Sequence, residues 1–229
     1  MTHSKHRRRN LFYLAGRKTY ELAASEGIAF VFGFPNRNSY RGLLKLGWTH
    51  DGDIARYRIF VPTIPLGLLG PFFAPVRDLH RRIFAKVVKK WRLEAFPLPS
   101  SAIEPGVGGM HRSPLSLDYK PEHDRHMQLR VGESVAWINQ IDGQIGIGDM
   151  QISSIKDEFT RLLRRIKWIA FLSGCSIVRT YVSPQSRLDR LFRDHGYKRS
   201  TTLANCYLDL TGEADPSLFK WVYGDFDTF

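Results

Sequence analysis

The same order of predicted elements occurs twice along this chain, and this repetition is the strongest constraint on its fold. In residues 11–62 the pattern predicts a helix, the strand IAFVFGF, a Pro/Asn/Ser loop, a short helix and the strand ARYRIFV. In residues 154–210 it predicts a helix, the strand SIVRTYV, a Pro/Ser loop, a short helix and the strand NCYLDL. Both short helices end at a Gly-aromatic pair, Gly47-Trp48 and Gly196-Tyr197. This alternation predicts an α/β protein with two copies of one unit.

Only the second copy has predicted strands in front of its first helix. VAWINQ and QIGIGDM flank Asp142-Gly143, a two-residue turn signal, and they predict a β-hairpin. We therefore expect a mixed sheet with flanking helices, a partial unit in residues 1–62 and a more complete unit in residues 113–229. Residues 63–112 are expected to hold a basic amphipathic helix and a Gly/Pro/Ser-rich linker.

The positive charge of the chain is concentrated in its first half. The 229 residues have a formal net charge of +12 and are 43% hydrophobic, which excludes global disorder. Residues 1–99 contain 18 Lys/Arg and 6 Asp/Glu, whereas residues 100–229 contain 16 of each. This imbalance indicates an anionic partner for the first half, whether a phosphate-bearing cofactor, a nucleic acid or a lipid surface.

An uncharged run from Ile59 to Val76 leads directly into the basic amphipathic helix. The run is long enough for a transmembrane helix, but four prolines and two glycines interrupt it. We expect a buried, extended segment between the units, with contact to a membrane surface as the alternative. The helix, predicted over residues 76–93, has an apolar stripe and a face rich in Lys and Arg. We expect the stripe to pack on the core, with binding to anionic lipid or nucleic acid as the alternative.

The cysteines and histidines favour neither a disulfide scaffold nor a metal site. Cys175 and Cys206 are the only cysteines, and neither stands in a C-x-x-C motif or a Cys/His cluster. His123-x-x-His126 has metal-like spacing, but the surrounding KPEHDRH is typical of a solvated loop. The basic N-terminus is not followed by the apolar region of a signal peptide. We therefore expect a cytoplasmic protein without a metal.

Several segments resemble GCN5-related N-acetyltransferases. SEGIAFVFGFPNRNSYRGLLKLGW is similar to the C-terminal half of these enzymes, in which a helix and a strand lead to an Asn-bearing loop and a short helix ending in "lGF" or "lGW". The second half, with its hairpin, helix, strand and RLFRDHGY, looks like another copy. The closing WVYGDFDTF resembles the tail of tandem acetyltransferase-like proteins found with bacterial surface-polysaccharide genes. The resemblance implies an acyl-CoA N-acyltransferase-like fold, acetyl-CoA as cofactor, and a small amine or amino sugar as acceptor.

The resemblance also implies where the cofactor is bound. In that family a loop of the form Arg/Gln-x-x-Gly-x-Gly/Ala, between a strand and a helix, faces the pyrophosphate of acetyl-CoA, and the thioester lies in the splayed sheet. THSKHRRRNLF occupies the matching position here, although Asn10 and Phe12 stand in the glycine places. The residues expected to bind CoA are Arg7, Arg8, Arg9, Asn10, Leu11, Phe12, Asn36 and Asn38.

The second unit is not expected to bind CoA. The segment after its hairpin lacks the Arg-x-x-Gly pattern, and Asp149 and Asp157 would repel a diphosphate. In the first unit the family's leading strands are missing, so either the chain continues upstream of Met1 or this unit is reduced to a half-domain.

No catalytic residue can be assigned from the resemblance. Family members often place a tyrosine, as the acid for the leaving thiolate, four residues before the Gly of the Gly-aromatic pair. Leu43 and Phe192 stand at these positions, and Tyr40 and Tyr20 are the candidate substitutes. The alternatives to an N-acetyltransferase are a non-catalytic binding or scaffolding protein in polysaccharide biosynthesis, with a protein partner or as a homo-oligomer, and a basic module on an anionic membrane surface. Nucleic acid is the least favoured partner.

Overall fold

The structure, a computed structural model, describes residues 10–64, 74–89, 92–93, 98–112, 126–141, 143–153, 155, 157–213 and 215–226. Its helices are α1 (Leu11–Ser25), α2 (Arg37–Lys45), α3 (Ala74–Val88), α4 (Glu158–Leu172) and α5 (Arg187–Asp194). Its strands are β1 (Phe30–Gly33), β2 (Thr49–Phe60), β3 (Arg92–Leu93), β4 (His126–Val131), β5 (Ser134–Ile141), β6 (Gln144–Gln151), β7 (Ile177–Val182) and β8 (Arg199–Asp209). Short 3-10 turns follow at Pro216–Leu218 and Tyr223–Asp225.

The chain divides into two compact units, each made of segments distant in sequence. The first unit comprises Met1–Ile54 and Thr202–Phe219, and the second comprises Ala55–Thr201 and Lys220–Phe229. Strands β2 and β8 therefore each have residues in both units. The predicted ranges 1–62, 63–112 and 113–229 describe acetyltransferase-like repeats, which are a different division from these compact units. That division stays a prediction.

In the first unit, α1 and α2 accompany the strand order β1-β8-β2. Strand β1 pairs antiparallel with β8, from Phe30 opposite Asp209 to Gly33 opposite Cys206. Helix α1 comes close to the end of α2 at Gly16, where an added Cβ would lie 3.0 Å from a methyl carbon of Leu46. A glycine at this position lets the two elements approach closely.

In the second unit, the strand order is β2-β7-β6-β5-β4-β3. Strands β6 and β7 are parallel, whereas the other described pairs are antiparallel, so the sheet is mixed. Helix α4 follows β6 and leads into β7, as a parallel connection requires. Its apolar stripe is buried in the core, and burial of each large side chain of this kind contributes about 2 kcal/mol. The stripe consists of Phe159, Leu162, Leu163, Ile166, Ile169 and Ala170.

The sequence pattern located the elements well and their ends less well. The strands IAFVFGF and SIVRTYV contain β1 and β7, each directly after the predicted helix. Helix α3 begins at Ala74, and its first turn includes Pro75, as proline is tolerated there. The helix ends at Val88 and does not reach the predicted end at residue 93. Beyond Val88 the apolar spacing continues, but Arg92 and Leu93 pair with β4, so tertiary strand pairing overrides helical periodicity.

The described helices give no support for a membrane span. None of them is both long enough and apolar enough to cross a bilayer. Of the uncharged run after Ile59, residues 65–73 lie outside the described part of the chain, so the predicted extended segment stays a prediction there.

Candidate functional site

A cavity in the first unit lies where β1 ends and the chain turns into α2. It has a volume of about 730 Å³, within the range of small-molecule sites. Its walls come from the turn before α2 and from α2 itself, from the first residues of β2 and from the neighbouring part of β8. The lining residues are Pro35, Asn36, Arg37, Asn38, Tyr40, Arg41, His50, Asp53, Thr202, Leu203 and Ala204.

The first turn of α2 forms a positively charged wall of this cavity. Asn36 caps the helix, since its side-chain oxygen accepts hydrogen bonds from the backbone N–H groups of Asn38 (2.9 Å) and Ser39 (3.1 Å). No acidic residue occurs in this turn. Arg37 and Arg41 lie one turn apart on the helix, so two guanidinium groups and the positive end of the helix dipole border the same space. Such a wall suits an anionic ligand.

A histidine–aspartate pair borders the same cavity. The Nε2 atom of His50 lies 3.1 Å from Oδ1 of Asp53, and both side chains are partly open to solvent. Residues three apart in a regular strand point to opposite faces. Gly52 has a φ of +88°, which interrupts this alternation and lets the two side chains meet. The ring of Tyr40 stands edge-on to the imidazole of His50, with 5.6 Å between centroids. The cavity therefore contains a titratable base, a phenol and two guanidinium groups.

The predicted N-terminal cofactor residues do not line this cavity where the structure describes them. Arg7, Arg8 and Arg9 lie outside the described residues. Asn10 is the N-cap of α1 with a left-handed φ of 51° and no side-chain cap bond, so it adopts the backbone conformation expected of a glycine at that place. Leu11 and Phe12 begin α1, and the ring of Phe12 lies against Gly42 of α2, where a Cβ would come within 3.0 Å.

The other predicted residues separate into those inside the cavity and those outside it. Asn36 and Asn38 line the cavity, and so does Tyr40. Tyr20 does not line the cavity. Its hydroxyl accepts a hydrogen bond of 2.9 Å from the indole N–H of Trp48. Of the two candidate tyrosines, Tyr40 therefore lines this cavity and Tyr20 does not.

The histidine–aspartate pair was not predicted from the sequence. The predicted strand ARYRIFV begins after both residues, whereas β2 begins at Thr49 and includes His50 and Asp53. The glycine between them was the available signal, because an isolated Gly in a strand often marks a bulge.

The second unit has an opening between its parallel strands, and its own chain fills it. Strands β6 and β7 pair only from Gln144 opposite Ile177 to Gly146 opposite Arg179, and β6 then diverges. Residues 220–226, here called the closing segment, enter this opening. Val222 forms an antiparallel bridge with Val182 of β7. A Cβ added to Gly224 would lie 2.5 Å from the ring of Trp137 and 3.2 Å from the carbonyl oxygen of Gly148, so the segment is tightly packed.

A buried ion cluster holds the closing segment in place. The guanidinium of Arg112 donates to Asp149 of β6 (2.6 Å) and to Asp225 of the closing segment (2.7 Å). Both carboxylates have fully buried side chains, and the side chain of Arg112 is 3% exposed. Burial opposes the charge of Arg112, but the two carboxylates outweigh it and raise the pKa of the guanidinium. Burial raises the pKa of Asp225 even with Arg112 beside it. Asp149 also accepts hydrogen bonds from the backbone N–H and the hydroxyl of Ser101.

The start of α4 in the second unit is occupied by a carboxylate of the chain itself. Glu158 accepts hydrogen bonds from the hydroxyls of Ser134 and Ser153 and from the backbone N–H of Glu133. These bonds lower the pKa of Glu158. Asp157 precedes it as an exposed N-cap with a φ of 66°. Since negative charge already lies at this helix start, the geometry is unfavourable for a diphosphate.

Neither cysteine chemistry nor a metal centre is indicated in the described part of the chain. Cys175 and Cys206 are both free and buried, and burial raises the pKa of each thiol to about 11. Among the residues that the structure describes, no three His, Cys, Asp or Glu side chains are grouped so that they could hold a metal ion. His123 lies outside these residues, whereas His126 is buried in β4, so the prediction of a solvated loop was wrong for His126.

Comparison with known proteins identifies the fold. No protein-family model and no curated protein matches the sequence. Among solved structures, a GCN5-related N-acetyltransferase from Kribbella flavida matches 95% of this chain and 52% of its own, with a TM-score of 0.51 and 15% identity. One from Anabaena variabilis matches 90% of this chain and 52% of its own (TM-score 0.47, 12% identity), and one from Sphaerobacter thermophilus matches 94% and 73% (TM-score 0.47, 14% identity). The chain spans about half the length of the first two.

The chain therefore has the α/β fold of GCN5-related N-acetyltransferases, with a mixed sheet and flanking helices. This confirms the predicted fold class. At such low identity the likeness concerns the fold, and activity has to be argued from the site.

Proposed function

We propose that the chain is an acyl-CoA-dependent N-acetyltransferase-like protein in which the first unit binds the cofactor. The observation on which this depends is the cavity at the start of α2, where cationic side chains, a histidine–aspartate pair and a tyrosine border one space. The second unit is not proposed as a cofactor site, because its closing segment already fills the opening between β6 and β7.

The residues of the first unit fit a phosphate-bearing ligand. Arg37 and Arg41 can each donate charge-assisted hydrogen bonds to phosphate oxygens. The side-chain oxygen of Asn36 is used by the helix cap, so its amide N–H groups remain as donors to a ligand. We assign the pyrophosphate of CoA to this wall. Asn10, Leu11 and Phe12 do not line the cavity, so their part in CoA binding, like that of Arg7, Arg8 and Arg9, stays a prediction. Bound acetyl-CoA would supply an activated acyl thioester.

The same cavity contains a group that can take a proton from an amine acceptor and a group that can give a proton to the leaving thiolate of CoA. An ammonium acceptor must lose a proton before it can act as a nucleophile. In the tautomer whose Nε2–H donates to Asp53, the Nδ1 of His50 is the atom that can accept that proton. The hydroxyl of Tyr40 is the group that can give a proton to the leaving thiolate of CoA. A small amine or amino sugar as acceptor and a cytoplasmic location complete the proposal.

Calorimetric titration of acetyl-CoA and CoA into the purified chain tests the cofactor assignment. We expect saturable binding that the double variant R37A/R41A weakens about a hundredfold, because each charge-assisted hydrogen bond to phosphate contributes about tenfold. Replacing Arg7, Arg8 and Arg9 by alanine should also weaken binding. The matched control is R161A/R164A, which removes two exposed arginines of α4 in the second unit. Binding that both double variants weaken equally would contradict a site at α2.

A second candidate is a non-catalytic binding or scaffolding protein. The filled opening of the second unit favours it, because there the fold is kept while the cofactor space is lost. Absence of CoA binding at millimolar ligand would favour this candidate over the first. A role in polysaccharide biosynthesis has only the resemblance of the closing WVYGDFDTF in its support.

A further inference from the structure

The second unit presents a group of exposed apolar side chains where α4 ends. Trp168 is 52% exposed, and Phe171 and Leu172 are each 43% exposed. Phe60 at the end of β2 and Ile64 shortly after it are 72% and 75% exposed. We call these five residues the α4 patch. Large apolar groups exposed together, unlike single ones, commonly mark an interaction surface.

Two contacts hold the parts of the α4 patch together. The rings of Trp168 and Phe171 stack, with 5.4 Å between centroids. The hydroxyl of Thr63 donates a 2.7 Å hydrogen bond to the carbonyl oxygen of Phe171, which holds the segment containing Ile64 against the end of α4. The exposed side chains therefore belong to one surface rather than to scattered positions.

Positive charge surrounds the patch. On α4 the exposed residues Arg161 and Arg164 share one helical face of about 100° with Trp168, Phe171 and Leu172. This face is therefore basic in its first half and aromatic or aliphatic in its second.

Positive charge predominates in the sequence around the patch, although Glu158, directly before these residues of α4, interacts electrostatically with Arg161. At the other end of the patch, the guanidinium carbon of Arg58 lies 5.4 Å from the centroid of the Phe60 ring. Residues 54–64 and 159–188 contain eight Lys/Arg and no Asp or Glu.

We propose that the α4 patch docks on the surface of an anionic phospholipid bilayer. Tryptophan and phenylalanine prefer the boundary between headgroups and acyl chains, and neighbouring arginines can reach lipid phosphates while their stems stay in apolar contact. A second copy of this chain is the less favourable occupant, because its identical face has no carboxylate to pair with Arg161 and Arg164. A nucleic acid would use the arginines but would leave Ile64 and Leu172 without a role. This proposal does not depend on the CoA site of the first unit.

Flotation with lipid vesicles tests the proposal on the full chain. We expect the protein to float with vesicles in which about a third of the phosphatidylcholine is replaced by phosphatidylglycerol, and to bind phosphatidylcholine alone at least tenfold more weakly. The variant W168S/F171S should lose at least tenfold in binding to the anionic vesicles. Its matched control is L14S/L22S, which removes two leucines of α1 that are 55% and 58% exposed.

A charge pair of variants separates the patch from general electrostatics. Each basic residue near an anionic bilayer contributes about fivefold, so R161A/R164A should weaken binding roughly 25-fold. R37A/R41A removes the same charge from the first unit and should bind vesicles like the wild type. CoA binding is expected to weaken in R37A/R41A and to stay unchanged in R161A/R164A. The proposed CoA site and the proposed lipid-binding patch can therefore fail independently.

Three results would overturn the proposal. The first is absence of wild-type flotation with anionic vesicles at low salt. The second is an equal loss of binding in each variant and its matched control, which would indicate unspecific attraction. The third is a dimer in light scattering that W168S/F171S abolishes while the vesicles bind neither protein, since the patch would then be an interface between copies.

Discussion

Replacing Arg112 by alanine tests whether the closing segment is a fixed part of the second unit. The guanidinium donates to Asp225 at 3.2 and 2.7 Å, to Asp149 at 2.6 Å, and to the carbonyl oxygen of Leu98 at 3.2 Å. It also lies 5.1 Å from the centroid of Trp137. Removal of one partner from a buried ion pair costs about 3–5 kcal/mol, because the remaining charge stays buried without compensation. We expect the Arg112→Ala variant to lose that much of its free energy of unfolding.

The substitution Asp225→Asn should cost less, although it changes the same cluster. The wild-type cluster has one positive and two negative groups. This variant leaves the ion pair of Arg112 and Asp149, which has no net charge. The amide oxygen can still accept from Arg112, but an NH₂ group would face the backbone N–H of Val222, which now donates to Asp225 at 2.9 Å. A cost of about 1–3 kcal/mol follows from that one unfavourable contact.

Urea unfolding at fixed ionic strength, followed by tryptophan fluorescence, measures both effects. Trp137 and Trp221 are buried in the second unit, at 1% and 2% exposure, and report on its unfolding. The control Arg161→Ala removes an exposed arginine and should change the free energy of unfolding by less than about 0.5 kcal/mol. The reasoning is refuted if Arg112→Ala stays within about 1 kcal/mol of the wild type, or if Asp225→Asn is the more destabilising change.

Two further predictions concern titratable groups. Burial raises the pKa of the Cys175 and Cys206 thiols to about 11. Near neutral pH both should react with a maleimide at least about a hundredfold more slowly in the folded chain than in the urea-unfolded chain. Similar rates in the two states would show that the thiols are accessible. The pKa of Glu158 is lowered in the folded state, so this carboxylate takes up a proton at higher pH in the unfolded chain than in the folded chain. Its contribution to stability is therefore present above the pKa of the unfolded state and is lost as the pH falls through the pKa of the folded state. Urea unfolding between about pH 6 and pH 3 should therefore show a weaker pH dependence for Glu158→Gln than for the wild type or for the exposed control Glu213→Gln, and parallel profiles would contradict this.

The local elements could be predicted because their signals are local. The apolar stripe from Phe159 to Ala170 repeats at helical spacing, and Gly174 follows its end with a φ of 71°, as expected just beyond a helix. The hairpin of β5 and β6 followed from the turn signal between two alternating strands. Such features need only neighbours in sequence, and they fix the order of helices and strands in an α/β fold.

The assembly of these elements could not be predicted in the same way. The repeat indicated no partner for the strand that contains Cys206, and residues 206–209 pair with β1, which lies near the start of the chain. The closing segment was noticed as a resemblance, yet nothing in its residues indicated that Val222 would bridge to Val182. Likewise, the pairing of Asp149 with Arg112, 37 residues away in sequence, had no signal in the local pattern. Each of these facts is a contact between distant segments, which periodicity does not encode.

The two units therefore support different conclusions from one fold. In the second unit the opening beside β7 is filled by Gly224 and Asp225, and any ligand there would have to displace a bridged segment and break a buried ion cluster. In the first unit the end of β1 leads into a cavity with guanidinium, imidazole and phenol groups at its walls. Because a fold alone does not fix an activity, this difference in the sites decides where chemistry is sought.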